Sequence, residues 1–143
     1  MLPGRAWLTG DCRALTPEVN DRIETAMRRI VDGICAAHEV GATVGYETIF
    51  PPTINDADAV KAAARAADGV ADKVDADCAP KLFSEDFAHM AGAVPGAFLL
   101  LGNGTEGSHA RPLHSADYDF NDAALETGRA LWVALVEQEL RAD

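Results

Sequence analysis

The pair Pro51-Pro52 is the strongest constraint on how this chain can fold, because two successive prolines remove two backbone donors and cannot continue a β-ladder. The residues before the pair and those after it follow different patterns. From Arg5 to Arg13 the side chains alternate, with Ala6, Leu8, Gly10 and Cys12 on one side and Arg5, Trp7, Thr9, Asp11 and Arg13 on the other; this predicts a half-buried strand. Thr16-Pro17-Glu18 has the make-up of a helix start: a hydroxyl N-cap, a proline at the first helical position and an acid at the positive end. Val19, Ile23, Met27, Ile30, Ile34 and His38 then recur at spacings of three and four, so an amphipathic helix of about five or six turns follows. After Gly41 a second alternating segment sets Ala42, Val44, Tyr46, Thr48 and Phe50 on one face and predicts a second strand. Two strands and one helix cannot close a core alone, so this part needs more sheet from elsewhere.

Beyond the prolines, Asn55 or Asp56 is a candidate N-cap for the alanine-rich "DADAVKAAARAA", a helical stretch by composition. "DGVADKVDADCAP" is polar and irregular. Ser84 is expected to cap a short helix that has Glu85 and Asp86 in its first turn and Phe87 and Met90 inside. "AFLLL", Ala97 to Leu101, reads as a short buried strand, and "GNGTEGSHARP" as a flexible loop. A last helix starts near Asn121 and is expected to bury Leu125, Leu131, Trp132, Leu135 and Val136. The expected boundary divides the chain into residues 1–50 and 51–143.

Charge narrows the possible partners. Lys and Arg total 12 and Asp and Glu total 23, a net charge of −11 over 143 residues. Such a chain repels phosphate backbones and anionic lipid, which argues against nucleic-acid and membrane partners. No apolar run approaches the length of a bilayer span, and the N-terminus lacks the basic start and apolar core of a secretory signal. Cys12, Cys35 and Cys78 are odd in number, widely spaced and form no CxxC pair, which fits free thiols in a reducing cytoplasm. Cys12 and Cys35 fall on apolar faces and are expected to be small core residues.

Four histidines are candidates for chemistry. His38 lies at a helix C-terminus, where a cation is favourable; His89 is expected in packing or at the surface, and His109 exposed in a glycine-rich loop. His114 differs, because it sits in "LHSADYDFND", between a flexible loop and a capped helix. Two readings of it stand side by side: a metal ligand presented by a loop, or one polar residue in a loop that launches the last helix. Ser84, Glu85 and Asp86 read as an N-cap with acids in the first helical turn; a functional version has Glu85 or Asp86 orient a metal-bound histidine through its other ring nitrogen. No HxD, HExxH or CxH pair, no Glu-Glu pair, no GxSxG and no P-loop occurs, so no catalytic residue is assigned.

The order "SEDFAHMAGAVPGAFLLLGNG", "LHSADYDFND" and a long final helix with Trp132 resembles the M20 metallopeptidase family, in its amidohydrolase branch of hippurate hydrolases and indole-acetyl-amino-acid hydrolases. The upstream "LPGRAWLTGDCRALTPEVNDRIETAMRRIVDGICAAH" and "FPPTIND" are similar to the second half of that family's lid and its exit. The resemblance implies an α/β chain: the C-terminal half of a ferredoxin-like (α+β) lid or dimerisation domain in residues 1–50, then the C-terminal part of a zinc-peptidase-like catalytic domain in residues 51–143. It implies a divalent cofactor (Zn, Mn, Co or Ni), a small N-acyl amino acid as substrate, and homo-oligomerisation through the lid segment.

In the resembled family, the histidine of Leu-His-Ser is the last metal ligand, which maps onto His114. Ser84, Glu85 and Asp86 fall on a site-lining segment and take supporting roles. The general base and remaining ligands have no counterpart, so the expectation is a C-terminal fragment of a metal-dependent amidohydrolase, inactive alone. The alternative is a non-catalytic oligomerising or complementing module. A self-sufficient hydrolase drawing ligands from His109, His114, Asp117 or Asp119 between subunits is a third reading.

Overall fold

The computed structural model describes residues 3–140. In order along the chain come α1 (Pro17–Ala37), α2 (Ala57–Ala67), α3 (Phe87–Ala93), a 3-10 turn at Gly107–Ala110 and α4 (Ala124–Glu139). The chain divides into two compact units. One holds the chain up to Thr53 together with Ala79–Gly92; the other holds Ile54–Cys78 and the chain from Ala93 onward.

In the first unit α1 starts where its sequence directs. Thr16 has extended backbone and its Oγ1 accepts from the Val19 amide at 3.3 Å, with Pro17 next in line. Such a cap is worth about 1 kcal/mol. The helix ends at Ala37, four residues before Gly41, by a different device. Glu39 takes φ +53°, its amide donates to Ala36 O at 3.4 Å, and the Val40 amide donates to Cys35 O at 3.0 Å. These are the two bonds of a Schellman cap, with a glutamate in the left-handed position that glycine usually fills.

The extended segments flanking α1 carry no β-ladder, and none forms among the described residues. Residues 5–13 expose both faces: Trp7 is 85% and Leu8 94% accessible. The half-buried strand expected there is therefore not formed, because alternation buries a face only when a sheet or helix covers it. Residues 42–50 do better. Val44 and Tyr46 are half-buried while Gly45 and Glu47 are exposed, so part of the expected alternation is kept. Side chains of α1 hold this segment: Arg28 donates to Val44 O at 2.9 Å, the Tyr46 hydroxyl donates to Asn20 Oδ1 at 2.8 Å, and Asn20 Nδ2 donates to Thr48 Oγ1 at 3.0 Å. The apolar stripe of α1 is incompletely covered, with Met27 38%, Ile30 49% and Ile34 56% accessible. Of the two cysteines expected in the core, Cys35 is half-buried and Cys12 is exposed, its thiol 3.8 Å from the Met27 sulfur.

In the second unit α2 packs against α4, burying Ala63 and Ala66. Asp56 is the N-cap of α2, its Oδ1 accepting from the amides of Asp58 (3.0 Å) and Ala59 (2.9 Å). Asn55 has another task. It donates to Phe98 O at 3.1 Å and accepts from the Phe98 amide at 2.8 Å, while the Asp56 amide donates to Gly96 O. A side-chain amide thus satisfies the groups that a neighbouring strand would have paired, and "AFLLL" is extended but unladdered, with Ala97 and Phe98 half-buried and Leu99 to Leu101 exposed. Leu131 and Leu135 of α4 are half-buried as the periodicity predicts; Leu125 (70%), Trp132 (66%) and Val136 (54%) are not covered.

Candidate functional site

His114 occupies the midpoint of a closed loop. Asn103 builds the neck: its Nδ2 donates to His109 O at 3.1 Å and to Asp119 O at 2.8 Å, so one nitrogen pins both ends of residues 109–119. Asn103 Oδ1 accepts from the Asn121 amide at 2.9 Å, and Asn121 Nδ2 donates back to Asn103 O at 2.8 Å. The Asn121 side chain also accepts from the Ala123 amide at 3.1 Å, which ties this hub to the start of α4. A compact surface loop with joined ends is the geometry of an Ω-loop, a frequent carrier of function.

Further contacts brace the loop. Arg111 pairs with Asp117 across it at 3.1 Å, and the Ser115 amide donates to Pro112 O while that of Tyr118 donates to Ser115 O. At the neck Ser108 donates to Asp119 Oδ2 at 3.2 Å, with His109 Nδ1 3.4 Å from Asp119 O. His109 is therefore half-buried, where composition predicted an exposed residue in a flexible loop. Gly104 takes φ +143°, and a Cβ there would meet the His109 Cβ at 2.9 Å. The neck thus depends on a glycine as well as an asparagine.

At the tip, His114 is exposed with φ +71°. A non-glycine residue in this region costs about 1 kcal/mol or more, and such cost collects where a side chain must be presented. Its imidazole makes no hydrogen bond or ion pair among the described residues. It is therefore open to an external partner.

The other expected site residues belong to the first unit. Ser84 does not cap α3, which begins at Phe87; its hydroxyl accepts from Arg13 Nη1 at 3.3 Å. Glu85 and Asp86 precede the helix and contribute backbone, their carbonyls accepting from the amides of Ala88 (3.2 Å) and His89 (3.0 Å). Glu85 is half-buried and Asp86 exposed. Within α3, His89 Nε2 lies 3.1 Å from Ile49 O and its ring sits 6.0 Å from that of Phe50, a packing role. His38 is the C-cap of α1.

A divalent ion held by protein takes at least three donors at most sites. Among the described residues no group of three or more His, Cys, Asp or Glu side chains is placed to hold one. Asp117 and Asp119 are engaged by Arg111 and by Ser108 with His109. His114 is one suitable donor, and the described residues do not complete the set.

Local pattern does not mark the asparagines of this frame, because Gly-Asn-Gly reads as flexibility and Phe-Asn-Asp as a helix start. The available signal was asparagine itself, which carries two donors and an acceptor on a short side chain, placed on either side of a polar loop.

Residues 11–138 match Peptidase family M20/M25/M40, and the chain belongs to that family. It is 30% identical over 129 residues to an N-acetyldiaminopimelate deacetylase of Leuconostoc mesenteroides, covering 90% of this chain and 33% of that protein. It is 28% identical over 147 residues to IAA-amino acid hydrolase ILR1-like 2 of Arabidopsis thaliana, covering 99% and 33%. An N-acetylcysteine deacetylase of Bacillus subtilis is 30% identical over 139 residues, covering 96% and 36%. The chain thus spans about a third of the length of the curated relatives it matches. No solved structure matches it significantly.

Proposed function

We propose that this chain is the C-terminal portion of a metal-dependent amidohydrolase that cleaves the amide bond of N-acyl amino acids, hippurate among them, and that it is inactive alone. The observation that carries the reading is His114, an exposed and unpaired imidazole at the tip of a braced loop, in a chain that belongs to this peptidase family. In this reading His114 contributes one donor to a divalent ion (Zn, Mn, Co or Ni), and the resemblance gives Ser84, Glu85 and Asp86 supporting roles. The remaining donors and the general base come from polypeptide outside the described residues. The additional strands of an α/β fold come from there too, with residues 1–50 forming part of a lid and 51–143 part of the catalytic domain. No catalytic step is assigned to residues of this chain. Three free thiols suit a reducing cytoplasm. The names of the relatives, deacetylases and an amino-acid-conjugate hydrolase, support the substrate class. The test is metal content and N-acyl amino acid hydrolysis by the purified chain. The expected result is substoichiometric metal and no turnover above buffer; one tightly held ion per chain with robust turnover would overturn the reading.

A second reading, an oligomerising or complementing module, is favoured by the exposure of large apolar side chains such as Trp7, Leu8 and Trp132. Among the described residues no helix is long and apolar enough to cross a membrane, so bilayer burial in a helix does not account for that surface.

A further inference from the structure

We propose that Asn103 is a positioning residue for His114, acting through the backbone of the 109–119 loop. The inference rests on the reading of His114 as the presented donor, and it adds the residue that sets its placement. Asn103 lies eleven positions before His114 in sequence, yet its single amide nitrogen holds the carbonyls at both ends of the loop whose midpoint is His114. The two carbonyl oxygens can be no further apart than the combined length of those two bonds. Without the amide donors the neck keeps only side-chain links, Ser108 donating to Asp119 Oδ2 at 3.2 Å and His109 Nδ1 lying 3.4 Å from Asp119 O, and neither holds the two carbonyls to a common donor.

The Arg111–Asp117 pair is a second rung above the neck, exposed on both sides and so a weak tie by itself. A wider neck lets the chain relax from the positive φ at His114, because ordinary backbone is lower in energy once closure no longer enforces the turn. The amide and acceptor roles are separable. Asn103→Asp keeps an oxygen for the Asn121 amide but sets a carboxylate against two carbonyl oxygens. Asn103→Ala removes both roles.

The experiment is nuclear magnetic resonance of the full labelled chain without metal. Its readout is the intraresidue amide–Hα contact of His114, which is strong at positive φ. Wild type shows it. Asn103→Asp and Asn103→Ala are expected to lose it while helical circular dichroism stays at the wild-type value, a change that general stabilisation by Asn103 would not produce. A His114 signature unchanged in both variants overturns the inference. If either variant unfolds, Asn103→Ser tests the same closure, because one hydroxyl proton can hold only one of the two carbonyls; weakening of the contact is expected and an unchanged contact counts against the inference. Cobaltous ion alone, added to wild type, addresses the underlying reading separately. Selective broadening of the His114 ring over those of His38 and His89 supports His114 as the donor. Equal broadening of all three overturns the donor role, and the metal-free readout still decides the positioning.

Discussion

Glu39 holds the left-handed position of a Schellman cap with φ +53°, although Gly41 stands two residues further on. The helix therefore closes before the glycine that composition marks as its end, and the cap bonds from Glu39 and Val40 are made at the expense of backbone strain. Glu39→Gly is expected to stabilise the fold by up to about 1 kcal/mol, the relief of left-handed strain being partly offset by glycine's entropy. Urea unfolding measures it, and a lower midpoint would show that the glutamate side chain contributes more than its backbone costs. Gly104 makes the converse case. Its φ of +143° and the 2.9 Å at which an added Cβ would meet the His109 Cβ leave no room for a side chain. Gly104→Ala is expected to destabilise by about 1–3 kcal/mol and to shift the resonances of His109 and Asp119, because the new methyl must move the backbone of the neck. His114 shows what sequence could and could not supply. Its candidacy was legible from residue type and from resemblance, whereas its positive φ and its frame depend on an asparagine eleven residues away that local pattern does not connect to it.

The helices were the most legible elements. α1 and α2 were foreseeable because capping and periodicity are local properties: Thr16, Pro17 and Asp56 act within three residues of themselves. The strands were not, because a ladder is a relation between distant segments, and here side chains of Asn20, Arg28 and Asn55 take up part of the backbone and polar partners instead. Ser84 departs from its expected capping role for a related reason: its hydroxyl accepts from Arg13, distant in sequence, so no local rule reveals it. The α1 contact with residues 44–48 also carries a pH signature. Partial burial raises the Tyr46 phenol above its ordinary value, with further upward contributions from the hydrogen bond and charge of Cys12 and from the carboxylates of Glu24 and Asp21. With the folded value above the unfolded one, this contribution to stability is fully present below about pH 10 and is lost as pH rises through the folded value. Unfolding followed from pH 8 to 11 is expected to show a fall in stability that is shallower in Tyr46→Phe. Identical slopes in the two proteins would remove Tyr46 from the alkaline transition.

At the scale of the whole molecule, the buried apolar residues among those described are three alanines, Ala63, Ala66 and Ala88, while Trp7, Leu8, Phe120, Trp132 and Leu140 are largely open to solvent. Sequence patterning marks Leu8 and Trp132 as inward-facing, whereas both are exposed, because periodicity selects a face but does not supply what covers it. Burying a large side chain contributes about 1.5–3 kcal/mol, so a surface carrying several of them favours association. The net charge of −11 opposes self-association at low ionic strength, and salt screens that repulsion within about 10 Å at 0.1 M. The complementing reading therefore predicts a specific salt response. Raising salt from about 0.01 to 0.5 M, a range over which the screening length shortens several-fold, is expected to raise the mass measured by light scattering, and acrylamide quenching of Trp7 and Trp132 is expected to fall in step. Trp7→Ser and Trp132→Ser, made separately, assign the covering to one unit or the other. A monomeric mass throughout, with both tryptophans equally quenched at every salt concentration, would leave self-association without support and turn the search to a different polypeptide that covers the same surfaces.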